Sequence, residues 1–334
     1  MSAPSGQQIH LDHAGQQLTV VEVGGGIRTY AVGGRAVIDG YDETEMCPAG
    51  RGQLLAPWPN RLADGSFEWQ GQTYHTPLSE PENHNAIHGL VRWSAWTLTL
   101  IDEGQVQLHF RLHPQPGWPW PLDLSVAYHL HREGLEVVTT VTNAGDQRQG
   151  ACPVGVGWHP YLAAFGGLVD DVVLTVPAEQ VYQADDRGLP TGRHSVEGTP
   201  VDFRSGRQVG DAVLDVAFTS LSRQADGRAE VSMTPAAGAA GAPSARDGIR
   251  LWVDSAYSHL MIFSGDTLDD VGRRRRGLAV EPMTCAPDML RNGDGRRVLE
   301  PGESFEASWG VQTFSFSRAV PKSCTWVRYH RSCC

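Results

Sequence analysis

A chain of 334 residues, 40% apolar with ten tryptophans and 19% charged, has enough hydrophobic mass for a sizeable core and falls outside the disordered class. Its formal net charge of −11 argues against a nucleic-acid or anionic-membrane partner, both of which need a basic face, and leaves a neutral solute as the better match. Length alone admits one large β-sandwich or two average domains.

The first fifteen residues have neither a basic n-region nor an apolar h-region, and no later segment has the long uncharged apolar run of a membrane span. A cytoplasmic protein without a membrane partner is the expectation. Cys47, Cys152 and Cys285 are scattered and Cys324, Cys333 and Cys334 crowd the tail, which suggests reduced thiols rather than a disulfide framework or a zinc ribbon.

Val106, Leu108, Phe110 and Leu112 alternate with polar residues, the period of a half-buried strand. Leu122, Leu124, Val126, Tyr128 and Leu130 repeat the pattern. After a turn at Glu133-Gly134 it resumes from Leu135 to Thr142, so three consecutive strands form an antiparallel meander. The runs 172–176, 249–253 and 259–263 are also β-rich, and no long segment combines helical periodicity with caps at both ends. With 38 glycines and 21 prolines spread between the runs, the fold class is all-β, in a single domain over residues 1–319. Within it, Pro235 to Gly248 reads as a flexible surface insertion. The four arginines from Arg273 to Arg276 read as a solvated turn. Residues 320–334, with the chain's only lysine, Lys322, form an atypical tail without an assigned role.

Two segments carry the chemistry: Gly157-Trp158-His159-Pro160-Tyr161 and Ala279-Val280-Glu281-Pro282-Met283-Thr284. A histidine that titrates near neutrality and a carboxylate ionised there can exchange protons with a small substrate. Read alone, His159 fits a core or turn histidine ahead of Pro160 better than a catalytic one, and Glu281 also fits an exposed loop glutamate. If buried in its apolar setting, however, Glu281 must be paired or functional. Trp58, Trp93, Trp118 and Trp120 are core residues or flat apolar faces for a ligand ring. His84 and His88 stand four apart, but the prolines and asparagines around them do not suit a metal-binding helix; His129 and His131 read as a polar strand stripe. No Gly-x-Ser-x-Gly elbow, Walker loop or dinucleotide fingerprint is present.

Two further segments, Ala56-Pro57-Trp58-Pro59-Asn60-Arg61 and Asn85-Ala86-Ile87-His88-Gly89-Leu90-Val91, complete a set of four. In this order and spacing the set resembles the aldose 1-epimerase (galactose mutarotase) family, from about residue 10 to about residue 316. The resemblance implies a large antiparallel β-supersandwich, galactose mutarotase-like, and a mutarotase of free aldohexoses that needs neither metal nor other cofactor. It implies His159 as acid and Glu281 as base. Arg61, His88 and Asp215 would hold sugar hydroxyls, with Asn60 of the first motif counted among them. The family's residue after the aspartate, often histidine or threonine, is Val216 here.

Residues 58–65 and 117–123 look closer to a bacterial branch of uncertain sugar preference, in which a sulfonated hexose, sulfoquinovose, is a known substrate. An anionic substituent would call for a cation beyond Arg61. The rival reading is a non-catalytic sugar-binding or regulatory protein on the same sandwich, with a lyase or glycosidase as a lesser alternative. The catalytic reading further expects His159 and Glu281 to enter one pocket from different strands, on opposite sides of a sugar-sized space. The oligomeric state is left open.

Overall fold

The computed structural model describes residues 3–238 and 247–315. Most of the 235–248 insertion and all of the tail from Val320 to Cys334 lie outside the described residues. Within them, two large sheets in which every strand pairing is antiparallel hold most of the strand residues, as the alternating patterns require. The three strands of the expected meander are Gln105–Leu112, Leu122–His131 and Gly134–Asn143, paired in sequence. Their sheet has nine strands and continues through Ser304–Ser315, Asp247–Val253 and Ala229–Pro235. The other sheet has twelve strands; its centre is formed by Tyr161–Ala163, Gly277–Met283, His259–Phe263 and Asp215–Leu221.

Alternation aims one face of each sheet at the other. Leu122, Leu124, Val126, Tyr128 and Leu130 are buried, and they join Leu278, Val280, Leu260 and Ile262 of the twelve-stranded sheet in one continuous apolar core. At 25 cal/mol per Å², each such side chain contributes on the order of 2 kcal/mol when withdrawn from water. Trp158 links the two layers: its Nε1 donates to Thr139 Oγ1 at 3.0 Å, and its ring packs against Tyr128 and Trp309.

That packing positions the residues of interest. With Trp158 directed into the core, its neighbour His159 faces the outer side of the twelve-stranded sheet. Leu278 and Val280 likewise point inward, while Glu281 shares the outer face with Ala279 and Met283. The arginine run is a turn, but not a uniformly solvated one. Arg275 is half-buried between Asp170 and Asp266, each 2.7 Å away, and Arg273 reaches Glu45 at 2.6 Å; only Arg274 and Arg276 face water. Among the described residues no helix is long and apolar enough to cross a membrane.

Candidate active site

Loops standing over the outer face of the twelve-stranded sheet enclose a cleft of about 590 Å³, and His159, Glu281, Arg61, His88, Asp215 and Asn60 all line it. The four motifs thus converge through long-range contacts. His159 is fixed by its backbone, which donates to Gln53 O at 3.1 Å and accepts from Gly52 N at 2.9 Å. Its ring stacks on Tyr161, with centroids 5.0 Å apart and 16° between planes.

Glu281 enters the cleft from the strand Gly277–Met283, whereas His159 enters from the link between Gly157–Trp158 and Tyr161–Ala163 rather than from a strand, and the expected sugar-sized gap between them is absent. His159 Nε2 stands 3.3 Å from Glu281 Oε1, and both side chains are buried. The gap is closed by strand pairing: Gly157 pairs with Met283 and Tyr161 with Ala279, which sets His159 beside Glu281. His159 Nδ1 and Glu281 Oε2 have no protein partner.

Burial dominates the protonation of the pair. It lowers His159 to about 3, assisted by the positive charges of Arg92 and Arg51. It raises Glu281 well above the usual carboxylate range, with Asp215 adding to the rise and Arg61 opposing it. Each group therefore favours its uncharged form, and together they hold one proton.

His88 lies edge-on to His159, with centroids 5.3 Å apart. Its Nδ1 accepts the Asn60 backbone N–H at 3.1 Å, so the ring proton sits on Nε2. Burial, then Arg92, His159 and Arg61, lower its pKa well below the usual value and keep it neutral. His88 returns a backbone bond to Asn60 O at 2.9 Å, and Asn60 Oδ1 caps the N–H of Arg61. Asn60 and His88 both adopt left-handed backbone, with φ of 57° and 64°. Gly89 allows the two motifs to touch, since a Cβ there would lie 2.0 Å from Ala56 O.

Arg61 is clamped by Glu80 through Nε at 3.0 Å and Nη2 at 3.1 Å, leaving Nη1 outside that ion pair. Asp215 opens the strand Asp215–Leu221 at the cleft mouth, where desolvation raises its pKa against the pull of Arg61. The other flagged residues separate. Trp58, Trp118 and Trp120 are core, whereas Trp93 is 53% exposed and lines the cleft. His84 points outward to Asp64, away from His88. His129 and His131 stack in parallel on their strand.

Sequence reasoning missed two arginines. Arg92 follows the Asn85–Val91 motif directly, lines the cleft, and makes no ion pair or side-chain hydrogen bond among the described residues. Arg51 is buried over the Tyr161 ring with one nitrogen on Asp39, while its Nε and Nη1 lack partners. The available signals were the continuation of one motif and an arginine between the two turn glycines Gly50 and Gly52.

The chain matches the aldose 1-epimerase family over residues 7–312. It is 33% identical over 300 residues to the uncharacterized protein YihR of Escherichia coli K12, covering 90% of this chain and 91% of that one. It is 30% identical over 173 residues to the galactose mutarotase of Homo sapiens, covering 49% and 48%. A GalM/aldose epimerase homologue of C. elegans superposes with a TM-score of 0.79 at 18% identity, over 93% of this chain and 99% of that one, a likeness of fold. With the fold, the ordered motifs and the matched length in agreement, the chain belongs to the aldose 1-epimerase family and is an isomerase of the mutarotase type.

Proposed function

We propose that this isomerase interconverts the α and β anomers of free aldohexoses of the glucose and galactose type. Glu281 serves as base, His159 as acid, and Arg61, His88, Asp215 and Asn60 hold the sugar. The contact of 3.3 Å between His159 and Glu281 on the cleft floor carries the reading. In the reactive form Glu281 is a carboxylate and His159 an imidazolium. Glu281 takes the proton of the C1 hydroxyl, the C1–ring-oxygen bond breaks as the C1 carbonyl forms, and the ring oxygen takes the proton of His159. This leaves the uncharged pair that burial favours. Rotation about C1–C2 and reclosure with the roles exchanged deliver the other anomer, and one proton stays on the pair throughout. His88 supplies a neutral Nε2–H donor and Arg61 a charged one. We place this activity in a single domain over residues 1–319 and in the cytoplasm, where the free thiols of Cys47, Cys152 and Cys285 would stay reduced.

Polarimetry on freshly dissolved α-D-glucose and α-D-galactose tests the proposal. Faster relaxation to the same final rotation, lost in Glu281→Gln, supports it; no acceleration with either sugar rejects it. The unpaired Arg92 favours a second reading, in which the preferred aldose bears an anionic substituent, as sulfoquinovose does. Acceleration of that sugar over glucose, with the preference abolished in Arg92→Met, would select this reading.

A further inference from the structure

Arg61 is the charged donor among the sugar-holding residues, and two distant segments fix where its guanidinium points. The first is the loop between the strands Gln72–His75 and Asn85–Ile87. It closes on itself around the short 3-10 turn Pro81–Asn83: Glu80 N donates to Asn85 O at 3.0 Å, and Asn85 N donates to Glu80 O at 3.1 Å. That closure brings the Glu80 carboxylate onto Nε and Nη2 of Arg61. The two side chains are only 16% and 13% exposed, so water competes little for the fork.

Asn85 is completely buried and holds the carboxylate in turn, its Nδ2 donating to Glu80 Oε2 at 2.9 Å. The same Nδ2 donates to Arg187 O at 3.0 Å, and Asn85 Oδ1 accepts from Arg187 Nη2 at 3.1 Å. Both ends of the amide are committed, and a rotation of Asn85 would strand buried polar groups. Burial opposes ionisation of Glu80, but the hydrogen bonds from Arg61 and Asn85 outweigh it and hold the carboxyl below its usual range.

The second segment is the turn at residues 185–188, between the paired strands Ala178–Ala184 and Pro190–Ser195. Asp185 Oδ1 shapes it by accepting the N–H groups of Arg187 and Leu189, both at 2.9 Å. Arg187 donates to Asn83 O at 2.9 Å, His84 O at 2.7 Å and Asp64 Oδ1 at 2.9 Å, which makes turn and loop one unit. Gly188, with φ of +74°, lies against the guanidinium; a Cβ there would stand 2.5 Å from Nη1 and 2.8 Å from Cζ of Arg61.

We propose that Glu80 and Asn85 are positioning residues of the anomerisation that act through Arg61, and that Gly188 completes the setting by leaving Nη1 its place. This rests on the mutarotase reading, in which Arg61 holds the sugar. None of the three has to touch the substrate. A guanidinium gripped by two of its nitrogens presents the third in one direction, so the sugar does not have to immobilise a long, rotamer-rich side chain. When the grip is lost, that ordering cost returns and weakens ground state and transition state alike. The signature is a raised KM with little change in kcat.

Polarimetric initial rates over a range of α-D-glucose and α-D-galactose concentrations test this in Glu80→Gln, Asn85→Ala and Gly188→Ala, each alone and combined with Arg61→Met. Alone, Glu80→Gln is expected to raise KM about five-fold or more, and Asn85→Ala and Gly188→Ala about three-fold or more, with kcat held within about three-fold. Arg61→Met should itself raise KM about ten-fold or more. In its background each of the other changes should move KM less than about two-fold, because the residue through which they act is gone. Partial unfolding of a variant lowers the apparent kcat and leaves KM in place, so it does not mimic the result. An unchanged KM in Glu80→Gln, with KM raised in Arg61→Met, overturns the positioning role alone. Equal KM rises with and without Arg61 also overturn it, since the substitutions would then act on the cleft as a whole. An unchanged KM in Arg61→Met removes the sugar-holding reading of Arg61 and the positioning role with it.

Discussion

His159, in the link between the strands Gly157–Trp158 and Tyr161–Ala163, meets Glu281 of the neighbouring strand Gly277–Met283 at 3.3 Å, each beside a residue that points into the sandwich core. Trp158 on one side and Val280 on the other are fully buried, so neither functional side chain can rotate inward without exchanging with a core residue. The sandwich thus preorganises the pair before sugar arrives.

If the pair performs the proton transfers, removing either member should be severe. General acid–base catalysis contributes about 10²- to 10⁴-fold, so Glu281→Gln and His159→Asn should each lower kcat by that order while the sugar still binds. Stopped-flow polarimetry with parallel calorimetry checks this, and a variant at wild-type kcat would exclude its residue from the chemistry.

The pH dependence follows from the shared proton. A second proton is resisted by His159, which burial holds near 3, and release of the shared proton is pushed above the usual carboxylate range because burial raises Glu281. The acid limb of kcat/KM should therefore lie well below the free-histidine value of about 6.5. Measurement of kcat/KM from pH 4 to 9 checks this; an acid limb centred at 6.5 would mean that an ordinary solvated histidine controls the rate.

Under the proposed function Arg61 has two tasks. Its Nε and Nη2 bind Glu80, leaving Nη1 for a sugar hydroxyl. A lysine ammonium cannot reproduce the fork. Arg61→Lys should raise KM at least ten-fold with a smaller fall in kcat, and an unchanged KM for glucose and galactose would argue that Arg61 serves only Glu80.

The strand pattern was legible because alternation reports which face is buried, and the three-strand meander appears where Val106, Leu122 and Leu135 begin it. The pair His159 and Glu281 was legible through its motifs. Its spacing was not, because the register between Gly157–Trp158, Tyr161–Ala163 and Gly277–Met283 is set by core packing over more than a hundred residues of separation. Arg51 and Arg92 escaped notice for the same reason: an isolated arginine becomes part of a cleft only when distant loops close over it. Arg275 looked solvated because its partners, Asp170 and Asp266, are not its sequence neighbours.

Gly89 offers a test of how the motifs are assembled. Leu90 N donates to Ala56 O at 2.7 Å, and a Cβ on Gly89 would meet that same oxygen at 2.0 Å with φ at +68°. Gly89→Ala must push the two segments apart or break the bond. A loss of about 1–3 kcal/mol is expected, read as a lowered Tm, together with reduced kcat/KM because His88 moves with its neighbour. Wild-type Tm and activity would show that the loop relaxes freely.

Glu281 should also cost the fold stability. In the unfolded chain its carboxyl ionises near 4.5, whereas in the folded cleft burial raises the value. Below pH 4.5 both states are protonated and the difference disappears. As pH rises past 4.5 the unfolded chain gives up a proton that the folded chain retains, so stability declines until the folded value is reached. Replacing the carboxyl by an amide of the same shape removes that penalty. Glu281→Gln should therefore have a higher Tm than the wild type at pH 8 and an equal one at pH 4, while losing activity at both. Histidine burial acts in the opposite sense. His159, held near 3, and His259, held near 4, take up a proton in the unfolded chain below about 6.5 but resist it when folded, so stability falls on acidification in both proteins alike. Thermal unfolding across pH 4 to 8 separates the two effects. A Tm difference between wild type and Glu281→Gln that does not grow with pH would mean that Glu281 is ionised in the folded cleft.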